Sequence, residues 1–142
     1  MASSVQEGTV AAFGEGWYPA GSSSDGANTR RWAASPATIW LYSSETQTIT
    51  LRGSPLALHD PTSPDGIGNS GSIAVRRNGQ GLGTWPAVVG VPLAIPVALQ
   101  PGWSQVSLDL AAGNFKPLGV RPETGGGRLL SFALQNLEIG PQ

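Results

Sequence analysis

The sequence predicts an all-β fold: an antiparallel β-sandwich whose strands follow a jelly-roll order. Three observations predict it. Of the 142 residues, 20 are Gly and 12 are Pro, only 12% are charged, and short segments alternate apolar and polar side chains. So many Gly and Pro disfavour helices, whereas a period of two is typical of strands with one buried face. We expect one domain over residues 1–142, because the length suffices for a sizeable core and no linker, repeat or charge block divides the chain.

The first clear strand is Thr38–Tyr42. Ile39 and Leu41 share one face, while Trp40 and Tyr42 share the other. Further segments alternate in the same way and offer these inward-facing residues: Ile49 and Leu51; Ile73 and Val75; Val106, Leu108 and Leu110; Leu130, Phe132 and Leu134. We expect about eight strands at the spacing of a sandwich.

A hairpin and an edge strand follow from turn chemistry. Asn78-Gly79 tolerates positive φ at both central positions of a type I′ turn, so it predicts a hairpin between 72–77 and 80–85. Pro92 and Pro96 lack an amide donor, which makes the stretch 88–99 an edge strand or a bulged one. Long loops are expected where small residues cluster: Ala20–Thr29, Leu58–Ser70 and Lys116–Arg128.

Composition excludes several classes of function. The formal charge of −1 offers no electrostatic footprint for nucleic acid or an anionic membrane, and the absence of Cys removes disulfides, thiol catalysis and Cys-based zinc sites. The segment Met1 to Glu7 lacks the regions of a signal peptide, so we expect none. The apolar run from Pro86 to Leu99 is shorter than the roughly 20 residues that cross a bilayer, so we expect no membrane insertion.

Two motifs are weak signals for chemistry. Gly66 to Gly71 matches G-x-G-x-x-G, but no strand precedes it and a strand-like segment follows, so we interpret it as a connection between strands. His59, the only histidine, could act as a base for a serine, yet no nucleophile elbow is visible. A loop histidine with a local hydrogen bond to Asp60 is the simpler interpretation.

Carboxylates give no catalytic constellation. No pair of acids can be placed at the separation that glycoside hydrolysis needs, so we expect a protein that is not an enzyme and has no catalytic residues. For cofactors we expect none, with a structural calcium ion left open. Its candidate ligands are Asp60, Asp65 and Asn69 in one loop, or Glu7 or Glu138 between the first and last strands.

The five Trp residues are the strongest hint of a ligand. Flat rings with a few hydrogen-bonding groups suit neutral polyhydroxylated molecules. Core packing is the ordinary role of such rings, and we expect it first for Trp17, Trp32 and Trp40, whereas Trp85 and Trp103 beside Pro and Gly are expected to be partly exposed. The candidate ligand-binding residues form two corners: Trp17, Tyr18, Arg31 and Trp32; and Trp85 and Trp103.

Two arginines have two interpretations each. Arg31 and Arg128 could stack on a ring or offer a donor fork to a ligand. The alternative, slightly favoured, is an internal salt bridge such as Arg31 with Glu15.

Several strings support a family resemblance. They are Phe13-Gly14-Glu15-Gly16-Trp17-Tyr18-Pro19, Arg31-Trp32, Ala37–Tyr42, Gln47–Arg52, the Asn78-Gly79 hairpin, Pro101-Gly102-Trp103 and Arg128–Ile139. Across nearly the whole chain the sequence resembles the C-terminal extracytoplasmic region of bacterial membrane glycosyltransferases of the dolichyl-phosphate-mannose mannosyltransferase type. The resemblance implies a galactose-binding-like, carbohydrate-module-like jelly roll without a catalytic centre, on the cell-surface or periplasmic side of a larger membrane protein.

Two hypotheses for function remain. The first is a non-catalytic carbohydrate-binding or glycan-positioning accessory domain, with an oligosaccharide as its ligand. The alternative is a structural or protein-interaction sandwich of a larger membrane-associated protein, suggested by the apolar, proline-interrupted stretch 86–99. A small hydrolase that uses His59 or a carboxylate pair is a third and weaker hypothesis.

Overall fold

Two antiparallel sheets make up the fold. The computed structural model describes residues 2–6, 9–18, 21–22, 29–64, 66–115 and 130–141, and these contain twelve strands. Every strand pair in both sheets is antiparallel. The prediction of an all-β antiparallel sandwich of the jelly-roll type is confirmed. The described residues include no helix long and apolar enough to span a membrane.

Sheet A has six strands in the order β1-β2-β5-β11-β8-β9. Their bounds are β1 Ala2–Gln6, β2 Thr9–Phe13, β5 Ala37–Ser43, β8 Ser70–Arg77, β9 Gln80–Val88 and β11 Gly102–Leu110. The central strands β5 and β11 come from distant parts of the sequence, so their outward side chains become neighbours only on folding.

Sheet B has the order β10-β6-β12-β4-β3, with β7 paired to β6 beside this path. Its strands are β3 Gly21–Ser22, β4 Thr29–Ala33, β6 Gln47–His59, β7 Ile67–Gly68, β10 Leu93–Leu99 and β12 Phe132–Pro141. The long strand β6 bends at irregularities in its register with β12, one of which lies beside Asn136 at a φ of 55°.

The core lies between the sheets and consists of the inward half of each alternating strand. Strand β10 alternates strictly between buried and exposed residues. The largest fully buried side chains belong to Phe132, Ile39, Leu41, Ile49, Leu51, Leu58, Ile73, Leu99, Leu110, Leu130, Val75 and Val97. Each such aliphatic or aromatic side chain stabilises the fold by about 1.5–3 kcal/mol through removal from water. Because one face of each strand packs in this apolar layer, only the opposite face is available to contact a ligand.

The predicted turn and edge strand are confirmed. Asn78 and Gly79 have φ values of 51° and 83° and connect β8 to β9, as a type I′ turn requires. Strand β10 lies at the edge of sheet B. The guanidinium of Arg77 donates a hydrogen bond to the carbonyl oxygen of Ala98 on β10, which ties sheet A to this edge.

Other sequence predictions need correction. The described residues contain twelve strands rather than the expected eight or so. Alternation did not indicate the short strands β1, β3 and β7, nor β2 and β4, where small residues and two arginines obscure it. The expected loop Leu58–Ser70 contains the end of β6 and strand β7. The Gly66–Gly71 string, interpreted as a connection between strands, itself contains β7 and the start of β8. Several predictions fall on residues outside those that the structure describes. They are most of the loop Ala20–Thr29, all of the loop Lys116–Arg128, which includes the candidate Arg128, and the calcium candidates Glu7 and Asp65.

Candidate functional site

Three aromatic rings stand on the outer face of sheet A. Trp40 and Tyr42 alternate along β5 with the buried Ile39 and Leu41, so their rings point away from the core. Trp103 on β11 lies directly opposite Tyr42. The exposed fractions are 41% for Trp40, 37% for Tyr42 and 57% for Trp103. The expectation that Trp40 packs in the core is therefore wrong, while the partial exposure of Trp103 is confirmed.

A fourth residue completes a two-by-two arrangement. Gln105 lies opposite Trp40 on β11, just as Trp103 lies opposite Tyr42. Adjacent strands are about 4.8 Å apart and alternate residues about 6.8 Å apart along a strand, so the four side chains share one small area. We call Trp40, Tyr42, Trp103 and Gln105 the aromatic platform.

The rings of the aromatic platform do not form one plane. The centroids of Tyr42 and Trp103 are 5.4 Å apart, and the ring planes meet at 61°. Edge-to-face contact of this kind adds to the cross-strand pairing. The resulting surface is angled, so it matches a ligand with its own twist better than a flat one.

The platform also carries hydrogen-bonding groups. Among the residues that the structure describes, no hydrogen-bond partner is found for the Tyr42 hydroxyl, the Gln105 side-chain amide or the indole N–H groups of Trp40 and Trp103. All four members are uncharged, and Arg76 and Asp109 are exposed residues on flanking positions of β8 and β11. The site can therefore offer apolar ring faces together with neutral donors and acceptors.

Trp17 has a different environment. Its indole N–H donates to the carbonyl oxygen of Thr38 at 2.8 Å, and its ring makes edge contacts with Phe13 and Phe132 at centroid distances of 5.2 and 6.1 Å. The ring is half-buried and packs against the core. Its polar group is thus used inside the fold, and ligand contact by Trp17 stays a prediction.

Arg31 and Tyr18 lie beside Trp17. The Arg31 guanidinium stacks 4.0 Å from the centroid of the Phe13 ring and donates to the Tyr18 carbonyl oxygen at 2.9 Å. Partial burial lowers the pKa of Arg31, because desolvation disfavours the cation. Within the described part of the chain these contacts replace the expected salt bridge with Glu15, which is exposed.

Trp32 and Trp85 are both half-buried, on opposite sheets. Trp32 alternates with the fully buried Ala33, which places it on the outer face of sheet B opposite the buried Ala133. Trp85 lies opposite the buried Ile73 and packs against the core. The partial exposure expected for Trp85 agrees with this position.

The structure brings together only part of the residues predicted from the sequence. Trp17, Tyr18 and Arg31 meet, but Trp32 points to the other face of β4. Trp85 and Trp103 lie on opposite faces of sheet A. Sequence reasoning missed three members of the aromatic platform, Trp40, Tyr42 and Gln105, although the alternation of β5 already indicated that Trp40 and Tyr42 oppose the core face.

His59 is held as a structural residue. Its Nδ1 lies 2.7 Å from the Gly66 carbonyl oxygen, which can only accept, so Nδ1 carries the proton. The ring stacks on Phe115 with centroids 4.5 Å apart. The prediction of a hydrogen bond between His59 and Asp60 is wrong. Asp60 instead accepts hydrogen bonds from the Thr62 hydroxyl at 2.6 Å and the Thr62 N–H at 2.9 Å.

Metal ligands are sparse in the described regions. No group of three or more His, Asp or Glu side chains there could hold an ion. One oxygen of Asp60 is already engaged by Thr62. Because Asp65 and Glu7 lie outside the described residues, the calcium hypothesis stays a prediction.

Comparison with known proteins gives distant similarity only. No protein-family model and no curated protein matches the chain. A family 35 carbohydrate binding module from Clostridium thermocellum is 9% identical with a TM-score of 0.46, covering 92% of this chain and 91% of that one. A family 35 module from an environmental isolate is 10% identical with a TM-score of 0.45, covering 91% and 93%.

A third structure is a carbohydrate-binding module of family CBM36 in complex with calcium and xylotriose. It is 13% identical with a TM-score of 0.38, covering 91% of this chain and 92% of that one. With TM-scores this low, we rest the function of this chain on its own residues.

Proposed function

We propose that the protein is a non-catalytic carbohydrate-binding domain whose aromatic platform binds a neutral, soluble oligosaccharide. The observation that carries this proposal is the exposure of Trp40, Tyr42 and Trp103 on one sheet face. Sugar rings have apolar C–H faces that pack on aromatic rings, and hydroxyl edges that need donors and acceptors. The platform offers both within the area of a few sugar units.

The geometry of the rings and the lack of charge on the platform limit the range of ligands that it can bind. The 61° angle between Tyr42 and Trp103 disfavours a flat crystalline surface, because such a surface needs coplanar rings. The absence of charge among the four platform residues favours a neutral sugar over a charged one. We therefore expect binding to soluble glucan-, xylan- or mannan-type oligomers rather than to insoluble fibres.

Calorimetric titration with such a set of oligosaccharides tests the proposal. We expect Trp103→Ala and Tyr42→Ala each to weaken binding at least about tenfold, which is about 1.4 kcal/mol. Val88→Ala is the matched control, since Val88 is 42% exposed but lies away from the platform on β9. If no sugar binds to the wild-type protein at millimolar concentration, the proposal fails.

The same titration separates the platform from the corner predicted by sequence. Trp32→Ala alters that corner without touching sheet A. We expect it to leave affinity within about twofold. If Trp32→Ala abolishes binding while Trp103→Ala does not, the Trp17–Trp32 corner is the site.

A second candidate function concerns the β9–β10 side of the sandwich. Val88 and Val91 are 42% and 54% exposed, and Pro92, Ala94 and Pro96 nearby are exposed as well. Such a surface supports the alternative of a protein-interaction domain. A crosslinker placed at Val91 in the intact protein should capture a neighbouring chain. The lack of any crosslinked product would argue against this candidate.

We also propose the setting that the sequence resemblance implies. The domain would be an accessory part of a bacterial membrane glycosyltransferase, placed on the extracytoplasmic side. The strings around Trp17 and along Arg128–Ile139 support this proposal. Protease accessibility of an epitope tag next to this chain, in intact cells against lysed ones, tests the placement.

A further inference from the structure

The Trp40 indole lies against a glycine just beyond the end of the neighbouring strand β2. A Cβ built on Gly14 would be 3.1 Å from both Cδ1 and Nε1 of Trp40, and it would clash with Oγ1 of Thr38. Gly14 immediately follows β2, and its N–H donates to the Thr38 carbonyl oxygen at 2.8 Å. The Thr38 hydroxyl and the pyrrole edge of Trp40 therefore both border the space that a side chain at position 14 would enter.

We infer that Gly14 is the positioning residue of the sugar site: by lacking a side chain, it lets the Trp40 indole lean across β2. This inference rests on the proposed function and deepens it. A methyl group at position 14 would displace the pyrrole edge by a few tenths of an ångström, since 3.1 Å is tighter than the 3.4–4 Å of ordinary contact. The aromatic platform would then lose the present placement of its Trp40 ring, so Gly14 acts through Trp40.

Gly14→Ala tests the inference with two readouts. The first is the indole N–H resonance of Trp40 in a 15N-labelled protein, assigned through Trp40→Phe and measured without ligand. The second is oligosaccharide affinity. We expect the resonance to shift and the affinity to fall about fivefold. Gly81→Ala is the matched control, because the added methyl group on β9 of the same sheet meets nothing within 4 Å.

The double variant Gly14→Ala/Trp40→Ala shows whether Gly14 acts through Trp40. We expect Gly14→Ala to change affinity less than about twofold once Trp40 is absent. If the loss is equally large without Trp40, the role of Gly14 is merely structural and the inference is overturned. An unmoved Trp40 resonance together with unchanged affinity overturns it as well.

A further variant guards against a folding defect. Thr38→Ala removes the hydroxyl that the new methyl group would strike, so Gly14→Ala/Thr38→Ala, compared with Thr38→Ala, leaves only the contact with Trp40. We expect this pair to reproduce the resonance shift. If the resonance moves but no sugar binds even the wild-type protein, the positioning of Trp40 by Gly14 stands and the proposed function falls.

Discussion

The ring of Trp103 meets the ring of Tyr42 edge-on at 5.4 Å on the outside of sheet A, across the pairing of β11 with β5. On the inside of the sandwich, Trp17 instead donates its indole N–H to Thr38. Trp103 and Trp17 both lie near turns. Trp103 leaves its indole N–H to solvent, whereas Trp17 uses its indole N–H in a hydrogen bond that stabilises the fold.

Substitution of Phe for Trp at these two positions separates the roles. Trp17→Phe removes a hydrogen bond and part of a packed ring, so we expect the free energy of unfolding to fall by about 1–2 kcal/mol. Trp103→Phe changes an exposed ring and should cost less than about 0.5 kcal/mol. Urea unfolding followed by circular dichroism measures both, and equal costs would contradict the assignment.

Gly53 offers a stabilising substitution. It is buried on β6 beside an apolar cavity of about 10 Å³, and an added Cβ would lie 3.4 Å from Leu137 Cδ1, in ordinary contact. We expect Gly53→Ala to raise the free energy of unfolding by about 0.5–1 kcal/mol, since it also restricts the unfolded chain. Thermal unfolding checks the sign.

Gly71→Ala is the contrasting control for Gly53. A Cβ there would be 3.0 Å from Leu110 Cδ1, tighter than ordinary packing. We expect destabilisation at this position. Opposite signs for the two substitutions would support the packing argument, and a loss of stability at Gly53 would refute it.

Asp60 gives a pH dependence. Hydrogen bonds from the hydroxyl and then the backbone N–H of Thr62 lower the pKa of this carboxyl group, and desolvation, which raises the pKa, has a smaller effect than either. Because the folded pKa lies below the unfolded one, the contribution is present above the unfolded pKa, near pH 4, and is lost as pH falls through the folded value.

Thr62→Ala should therefore raise the pKa of Asp60 in an NMR titration of its carboxyl carbon and flatten stability against pH in the acid range. Thr84→Ala, at an exposed threonine on β9, is the control and should change neither. A titration of Asp60 that is insensitive to Thr62 would contradict this assignment.

The edge of β10 is protected in two ways. The carbonyl of Ala98 accepts from Arg77 and so points away from β6, and the alternation of backbone direction places Pro96, which has no N–H, on the same side. Such features hinder another strand from pairing there. We expect Arg77→Ala/Pro96→Thr to increase self-association in sedimentation velocity, whereas Arg76→Ala should not.

Much of the fold could be predicted from sequence, because the alternation of apolar and polar residues in β5, β6, β8 and β11 is clear without knowledge of the neighbouring strands. Strand β4 could not, since Arg31 faces inward and is accommodated by stacking on Phe13 from the other sheet and by its hydrogen bond to the Tyr18 carbonyl oxygen. The candidate site was harder still. Alternation along β5 indicates that Trp40 opposes the core face, but its neighbours Gln105 and Gly14 come from other parts of the sequence and reach it only on folding.

Thr38 links the interior to the outer face of sheet A: its carbonyl accepts from the N–H groups of Gly14 and Trp17, while its side chain shares the outer face with Trp40 two residues later. One end of the platform is thus anchored to the interior, and the Trp103 end is not. Under the proposed function, we expect natural variation in ligand preference to accumulate at Trp103 first, since a change at Trp40 would also disturb its contact with Gly14.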